Sequence, residues 1–246
     1  GDCTVVRNAT ATRTNSAGII VSSAANIARI NYLTSGGIPF ILDEPQRTNL
    51  IPFSEDFTNA FWIKSVLTVN SNQAASPNNT FTADKIIPDS GNQISRVINN
   101  GISISAGLIT FSIFVKVIDF SFLFFREDIN NSISNTIFNL TLKTVPTLAA
   151  GRAARIIEYT NGYLRIELTA TSPDNTISNF GFGFCDNGTS IGVIGDGVKS
   201  SLIWGAQLEQ GASASSYIPT NGAAVTRNAD VITVAPPAGT VKITTT

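Results

Sequence analysis

The sequence predicts an all-β protein folded as a β-sandwich, and three observations carry that prediction. The 246 residues are rich in Val, Ile, Thr and Ser and include 15 Phe and 19 Gly, a composition that favours strands joined by tight turns. Apolar and polar residues alternate with period two in several runs, the pattern of strands with one buried face. Turn-forming stretches rich in Gly and Asn separate those runs. At 43% hydrophobic and 13% charged residues, the chain can bury one large core or two smaller ones.

In chain order, 4–32 reads as short strands around a turn at Asn15-Ser16-Ala17-Gly18, where Asn and Gly tolerate positive φ. The run Val5-Val6-Arg7-Asn8-Ala9 is echoed by Val225-Thr226-Arg227-Asn228-Ala229, so either the two termini lie side by side or in equivalent roles, or the match is coincidence. The chain turns at Ser35-Gly36-Gly37, and Phe40-Ile41-Leu42 leads into a connector, Asp43 to Leu50. Phe53, Phe57, Phe61 and Trp62 crowd 51–64, and burying each ring contributes roughly 1.5–3 kcal/mol, so this segment is predicted core. Strands follow at 66–70, 81–87 and 94–99. A central strand over 108–117 alternates Ile109, Phe111, Ile113 and Val115 with Thr110, Ser112 and Lys116, with Phe114 on the polar face. Strands at 120–126 and 137–142 flank a polar turn over 128–135, and 145–152 reads as loop.

Asn161-Gly162 joins 155–159 to 163–169 as a hairpin. In Phe180-Gly181-Phe182-Gly183-Phe184 three rings share one face and only glycines hold the other, so another backbone or large side chain is expected to press there. Residues 186–197 read as a glycine-rich loop. The closing strand puts Leu202, Trp204, Ala206 and Leu208 on one face and Ser201, Gly205, Gln207 and Glu209 on the other, with Ile203 out of phase. Pro219 keeps Ile218 extended, and the domain ends there. The end segments, 231–234 and 241–246, read as β-structure able to add to a neighbour's sheet edge.

Function classes narrow by elimination. A formal net charge of −1 offers no basic field for nucleic acid or an anionic membrane. No apolar run nears the roughly 20 residues of a spanning helix, so a soluble chain is expected. It opens on Gly1-Asp2-Cys3 and contains no Met, as expected of a processed chain or a piece of a longer one. Cys3 and Cys185, in no metal-like spacing, read as reduced thiols, with a disulfide as the alternative. The absence of His removes Ser-His and Cys-His nucleophiles and His metal ligands. A glycosidase needs two carboxylates about 5–10 Å apart across a cleft. Asp43/Glu44, Glu55/Asp56, Glu127/Asp128, Glu158, Glu167 and Glu209 include no self-evident pair, because adjacent acids on a strand point to opposite faces. Asp186, Asn187 and Asp196 offer oxygens to calcium, but plain turns account for them, and no cofactor or metal is expected.

Sugar binding needs an exposed aromatic plane for the apolar face of a pyranose, with amides, carboxylates or guanidinium groups for its hydroxyls. Tyr163, Arg165 and Glu167 share one strand face opposite Leu164, Ile166 and Leu168, and are the candidate ligand-binding residues. An ordinary solvated face carrying a Tyr is the plainer reading. Trp62 and Trp204 read as core.

Several linked motifs stand in order along most of the chain. They are Arg7 to Asn15 with Gly18, Leu42 to Leu50, Ser54 to Trp62, Thr82 to Lys85, Phe111 to Lys116, Trp204 to Glu209, and Ser216 to Thr220. Together they resemble a domain common in tailed-phage virion proteins of the head-fibre, head-spike and tail-fibre class, built on a carbohydrate-binding-module-like jelly roll. The resemblance implies a jelly-roll domain over 49–220, with an N-terminal β arm and connector over 1–48 and a C-terminal β extension over 221–246 serving attachment or oligomerisation. It implies a virion location, other virion proteins of the capsid or tail as partners, and a homotrimer. The expected function is a non-enzymatic fibre or spike adhering to host surface polysaccharide through several weak copies. The alternatives are a carbohydrate-binding module of a polysaccharide-degrading enzyme and a purely structural capsid decoration.

Overall fold

The structure, a computed structural model, describes residues 3–33, 36–129, 131–173 and 176–234. In chain order the strands of the sandwich are β1 Trp62–Ser65, β2 Leu67–Ala74, β3 Ala83–Pro88, β4 Arg96–Asn99, β5 Ile102–Ile104, β6 Gly107–Lys116, β7 Phe122–Ile129, β8 Ser132–Asn139, β9 Thr144–Thr147, β10 Ala153–Glu158, β11 Tyr163–Ser172, β12 Thr176–Cys185 and β13 Ser201–Gln210. They form two antiparallel sheets, a six-stranded one ordered β10-β11-β6-β13-β3-β2 and a seven-stranded one ordered β9-β8-β7-β12-β4-β1 with β5 also on β12. Phe111, Ile113 and Val115 of the first sheet and Phe125, Phe138 and Phe182 of the second meet in one core. The Phe111 and Phe125 ring centroids stand 4.9 Å apart across it. The chain is thus a jelly-roll β-sandwich, a sandwich as the alternation of the strands predicts and a jelly roll as the resemblance implies.

Several boundaries differ from the sequence reading for identifiable reasons. The polar stretch 128–135 is mostly strand, because Asp128, Ile133 and Asn135 lie on the outer face of β7 and β8. The start of 145–152, read as loop, belongs to the edge strand Thr144–Thr147 on β8. Within 186–197, Val193–Gly195 pairs with Gly91–Gln93. The chain crosses from one sheet to the other at Val66, whose φ of 57° is costly for a β-branched residue. Its carbonyl is held there by the Asp89 N–H at 3.1 Å and the Ser95 hydroxyl at 2.8 Å.

The closing strand β13 carries a bulge. Ser112 pairs with Gln207 but Phe114 with Trp204, so one extra residue of β13 is spliced in near Gly205, whose φ of 65° suits glycine. The bulge reverses the phase of the strand. Ile203, Ala206 and Leu208 face the main core, whereas Leu202 and Trp204 face outward into a second cluster with Phe114, Tyr163, Tyr217 and Ile20. Ile203 is therefore in phase, and the single face drawn through Leu202 to Leu208 is corrected.

Ile20 belongs to the N-terminal arm, which lies over this outer cluster. In the arm, Ala11–Thr14 pairs with Ile20–Ser23 around a turn in which Asn15 Oδ1 accepts the N–H groups of Ala17 and Ile19. A buried ion cluster locks the arm in place. Arg7, Arg29 and Arg227 converge on Asp230 and Glu44: Arg7 reaches Asp230 at 2.8 Å, Arg29 meets both acids, and Arg227 lies 3.4 Å from Glu44. All three guanidinium groups are essentially inaccessible to solvent. The echoed Arg7 and Arg227 thus do play equivalent roles. The strand Val231–Val234 pairs with Cys3–Val6 of the same chain, not with a neighbour, because this cluster brings the ends together. The predicted strand 241–246 lies outside the described residues, as does the Cys3 side chain. Cys185 is a buried free thiol, and burial pushes it up to about 12.

Candidate functional site

Between the arm and the outer face of the six-stranded sheet lies a cleft of about 250 Å³. It is smaller than the roughly 300–1,000 Å³ occupied by drug-sized ligands and suits a single ring. Arg155, Ile157 and Tyr159 of the hairpin strand enter it beside Arg165 and Glu167 of β11, with Arg13, Asn31 and Phe40 of the arm opposite. The hairpin register puts Arg155 directly across from Glu167.

The charges are ordered from the sheet outward. Arg165 is buried and donates to the Ser215 carbonyl at 2.7 Å and twice to the Ser112 hydroxyl, while its guanidinium lies 5.2 Å from the centre of the Phe114 ring. Burial opposes that charge, but Tyr159, Glu167 and Glu209 outweigh it and raise the pKa of Arg165. Glu167 accepts Arg155 Nε at 3.1 Å and Nη2 at 2.8 Å on one oxygen, Oε2. The other, Oε1, is buried and lies 3.9 Å from Arg165 Nε, an ion pair too long for a hydrogen bond. The Arg155 side chain is 58% exposed and the Glu167 side chain 4%, so the pair runs from the floor of the cleft to its rim. Phe40 at 37% exposure and the half-buried Tyr159 supply the apolar edge.

Of the predicted ligand-binding residues, Arg165 and Glu167 meet at this cleft, but Tyr163 is not the exposed platform the reading requires. Its exposure is 0%. Its ring packs in the outer cluster under the arm, and its hydroxyl donates to the Ala75 carbonyl at 2.9 Å. Burial pushes the phenol up to about 12. Alternation along β11 places these residues on the outer face correctly; only the arm, folding back from far away in sequence, decides that this part of the face is covered. Tyr159 was missed, although it flanks the Asn161-Gly162 turn one strand over.

Several of the other candidate residues have structural partners. Glu127 takes Arg152 at 2.7 Å, Glu209 takes the Ser215 hydroxyl at 2.8 Å, and Asp186, Asn187 and Asp196 accept backbone N–H groups of their own loop. Among the described residues, no group of three or more His, Cys, Asp or Glu is placed to hold a metal.

A second cavity, about 350 Å³, is lined by Phe53, Glu55, Asp56, Asn72, Thr82 and Asn221. Behind it Asp84 ties two segments together by accepting the N–H of Phe57 at 3.1 Å and of Asn72 at 2.9 Å. Burial, opposed by those bonds and reinforced by Asp56 and Glu55, pushes the Asp84 carboxyl up to about 6. A carboxyl raised on folding stabilises the protein below its unfolded pKa near 4, and that contribution is lost as pH rises through about 6. Asp84→Asn is expected to flatten the dependence of stability on pH between about 4 and 6, read by urea unfolding at a series of pH values. An unchanged slope would rule out Asp84 as its source.

No family model matches the chain, and no curated protein matches it. Among solved structures, it is similar to the N-terminal CBM22-1–GH10 modules of the Clostridium thermocellum endo-1,4-β-D-xylanase 10B complexed with xylohexaose, at 8% identity and a TM-score of 0.39. That overlap covers 71% of this chain and 30% of the xylanase chain, so this chain spans under a third of its length. It is also similar to TmCBM27, a carbohydrate-binding module described for specific mannan recognition, at 13% identity and a TM-score of 0.34, covering 70% of this chain and 98% of that one. With both TM-scores below 0.5, the assignment of the sandwich rests on the sheets themselves.

Proposed function

We propose that this chain is a non-catalytic glycan-binding domain whose site is the cleft beneath the arm. One observation carries the reading: the Glu167 Oε1 acceptor, buried and without a hydrogen bond, at the floor of a ring-sized cleft. A sugar hydroxyl donating to it supplies the hydrogen bond that Arg165, 3.9 Å away, does not make. The exposed edge of Arg155 donates to neighbouring hydroxyls, and Tyr159 and Phe40 cover the apolar face of the ring. Binding without catalysis is supported by the two carboxylates that reach the cleft, since arginine engages both: Glu44 by Arg29 and Glu167 by Arg155.

Multivalent display on a glycan array and on host cell-wall polysaccharide tests the proposal. Arg155→Ala and Glu167→Gln should each weaken binding by about tenfold or more, which is about 1.4 kcal/mol. Equal binding by wild type and both variants would place the site elsewhere.

The setting we favour is an external fibre or spike of a tailed-phage particle, with a module on a longer polysaccharide-degrading chain as the rival. The first rests on the linked motifs of the sequence, in which Arg7, Glu44 and Ser216 also assemble the arm clamp. The arm also exposes Ile27, Leu33, Ile38 and Ile41, an apolar surface suited to contact between copies in a trimer. Sedimentation of the purified chain at trimer mass is the expected result, and a monomer at all concentrations would remove the trimer from the proposal.

A further inference from the structure

The outer face of the seven-stranded sheet holds two arginines that form no ion pair among the described residues. On β7 Arg126 stands opposite Asn135 of β8 on one side and Gly181 of β12 on the other, and Gly181 in turn faces Ile98 of β4. Gly181 has no side chain to separate the outer strands, and the β4 backbone folds close over it, with Ile98 Cα 2.9 Å from where a Cβ would stand. Arg96, two residues from Ile98, lies on the same face, across β12 from the strand of Arg126. Burial and the Arg126 charge both lower the pKa of Arg96.

Elsewhere Arg7, Arg29, Arg152, Arg155, Arg165 and Arg227 each meet a carboxylate. Arg96 and Arg126, like Arg13 and Arg47, meet none among the described residues. Asp128, one step along the same strand face, forms no ion pair with Arg126. Arg126 Nε and Asn135 Oδ1, on directly paired residues, are both buried and unbonded. Two like charges within electrostatic range of each other, one with a buried donor left open, are an arrangement that a bound anion stabilises, and the open amide oxygen beside them suits a hydroxyl donor. Ile63 and Ile133 are about half exposed upon this face, whereas Phe124, Ile137 and Cys185 on the far side of Arg126 are buried, so the accessible part of the face lies toward Ile63 and Ile133.

We propose that Arg96, Arg126 and Asn135 form an oxyanion site for the carboxylate or sulfate substituents of an acidic polysaccharide. The guanidinium groups take the anion, and the Asn135 amide takes a hydroxyl of the same or the next sugar. The choice of a polysaccharide rests on the glycan-binding reading above; the location does not, since this face is the opposite one to the cleft.

The test is calorimetric titration of the whole chain, at low and at moderate salt, with three oligosaccharides of equal length: a galacturonate oligomer, a sulfated galactose oligomer and a neutral galactose oligomer. An acidic probe should bind at least about tenfold more tightly than the neutral one and weaken with salt. Whichever acidic probe binds better identifies the anion as carboxylate or sulfate. Arg96→Gln, and Arg126→Lys, which keeps the charge but removes Nε, should each weaken that binding by about tenfold, whereas Glu167→Gln should leave it unchanged. Because Arg96→Gln removes an unpaired charge, its melting temperature should not fall below that of the wild type. Absence of any preference for the acidic probes, or unchanged affinity in both arginine variants, overturns the site. Loss in Glu167→Gln alone also overturns it, and assigns the binding to the arm cleft instead.

Discussion

Asp230→Ala is expected to destabilise the protein by about 3–5 kcal/mol, because it strands buried guanidinium groups without their shared counter-charge. Asp230 accepts Arg7 at 2.8 Å, pairs with Arg29 and accepts the Glu44 N–H at 3.1 Å, so its carboxylate is the point where three separate segments meet. With it gone, Glu44 alone serves Arg29 and Arg227, and Arg7 loses its carboxylate. Burial by itself would raise the pKa of Asp230, but hydrogen bonds from Arg29 and Arg7 outweigh burial and lower it. Glu44 behaves alike, lowered by Arg227, Ser216 and Arg29 against burial. A carboxylate lowered on folding contributes stability that is present above its unfolded pKa and is lost as pH falls through its folded value, so this cluster is an acid-labile clamp.

Urea unfolding at pH 7 measures the loss, and limited proteolysis locates it, with early cleavage expected in the arm and in 225–234. Glu158→Ala, which breaks the exposed Lys143–Glu158 pair at 2.8 Å, is the control and should cost less than about 1 kcal/mol. An Asp230→Ala variant within about 1 kcal/mol of wild type would mean that the arginines relax to solvent, and that the arm is not clamped by charge.

Legibility in the sequence followed the range of the interaction. Period-two alternation identified β6 correctly down to Phe114, an apolar residue on the polar face, because that face is buried under the arm and carries its own aromatic cluster. The same alternation misread β13, since a bulge at Gly205 adds a residue to the count and leaves no mark except the out-of-phase Ile203. The hairpin across Asn161-Gly162 was legible because two positive φ angles, 62° and 76°, are demanded within adjacent residues. The candidate site was half legible. Arg165 and Glu167 share a face by simple periodicity, but the exposure of Tyr163 depends on Ile20, 143 positions away in the chain. The echo of Arg7 in Arg227 pointed to the clamp, whereas Arg29 and Asp230 carry no local signal; only the folded arm brings them together.

Gly183→Ala is expected to lower stability by about 1–3 kcal/mol, or more if the strand must shift, although it adds only one methyl group. A Cβ at that position would lie 2.7 Å from two ring carbons of Phe124 and closer still to the backbone carbonyl of Ser95. Phe124 has nowhere to go: it is fully buried with Ile137 and Cys185. The Ser95 hydroxyl is tied to the Val66 carbonyl at 2.8 Å, the corner at which the chain changes sheets. The substitution therefore sets β12 against both a packed ring and a constrained corner. Gly181→Ala should behave similarly, because Ile98 Cα and Cβ would each stand 2.9 Å from the new carbon. Gly192→Ala is the matched control, since its nearest neighbours would lie at 3.6–4.0 Å, ordinary contact, and the change should fall within about 0.5 kcal/mol. Thermal unfolding of the three variants separates the explanations. If Gly181→Ala and Gly183→Ala melt with Gly192→Ala, then β4 and the corner at Ser95 are free to move, and the close approach of β4 to β12 is not a fixed property of the fold. If both melt well below it, the alternating glycines of β12 are what allow β4 to lie against the sheet.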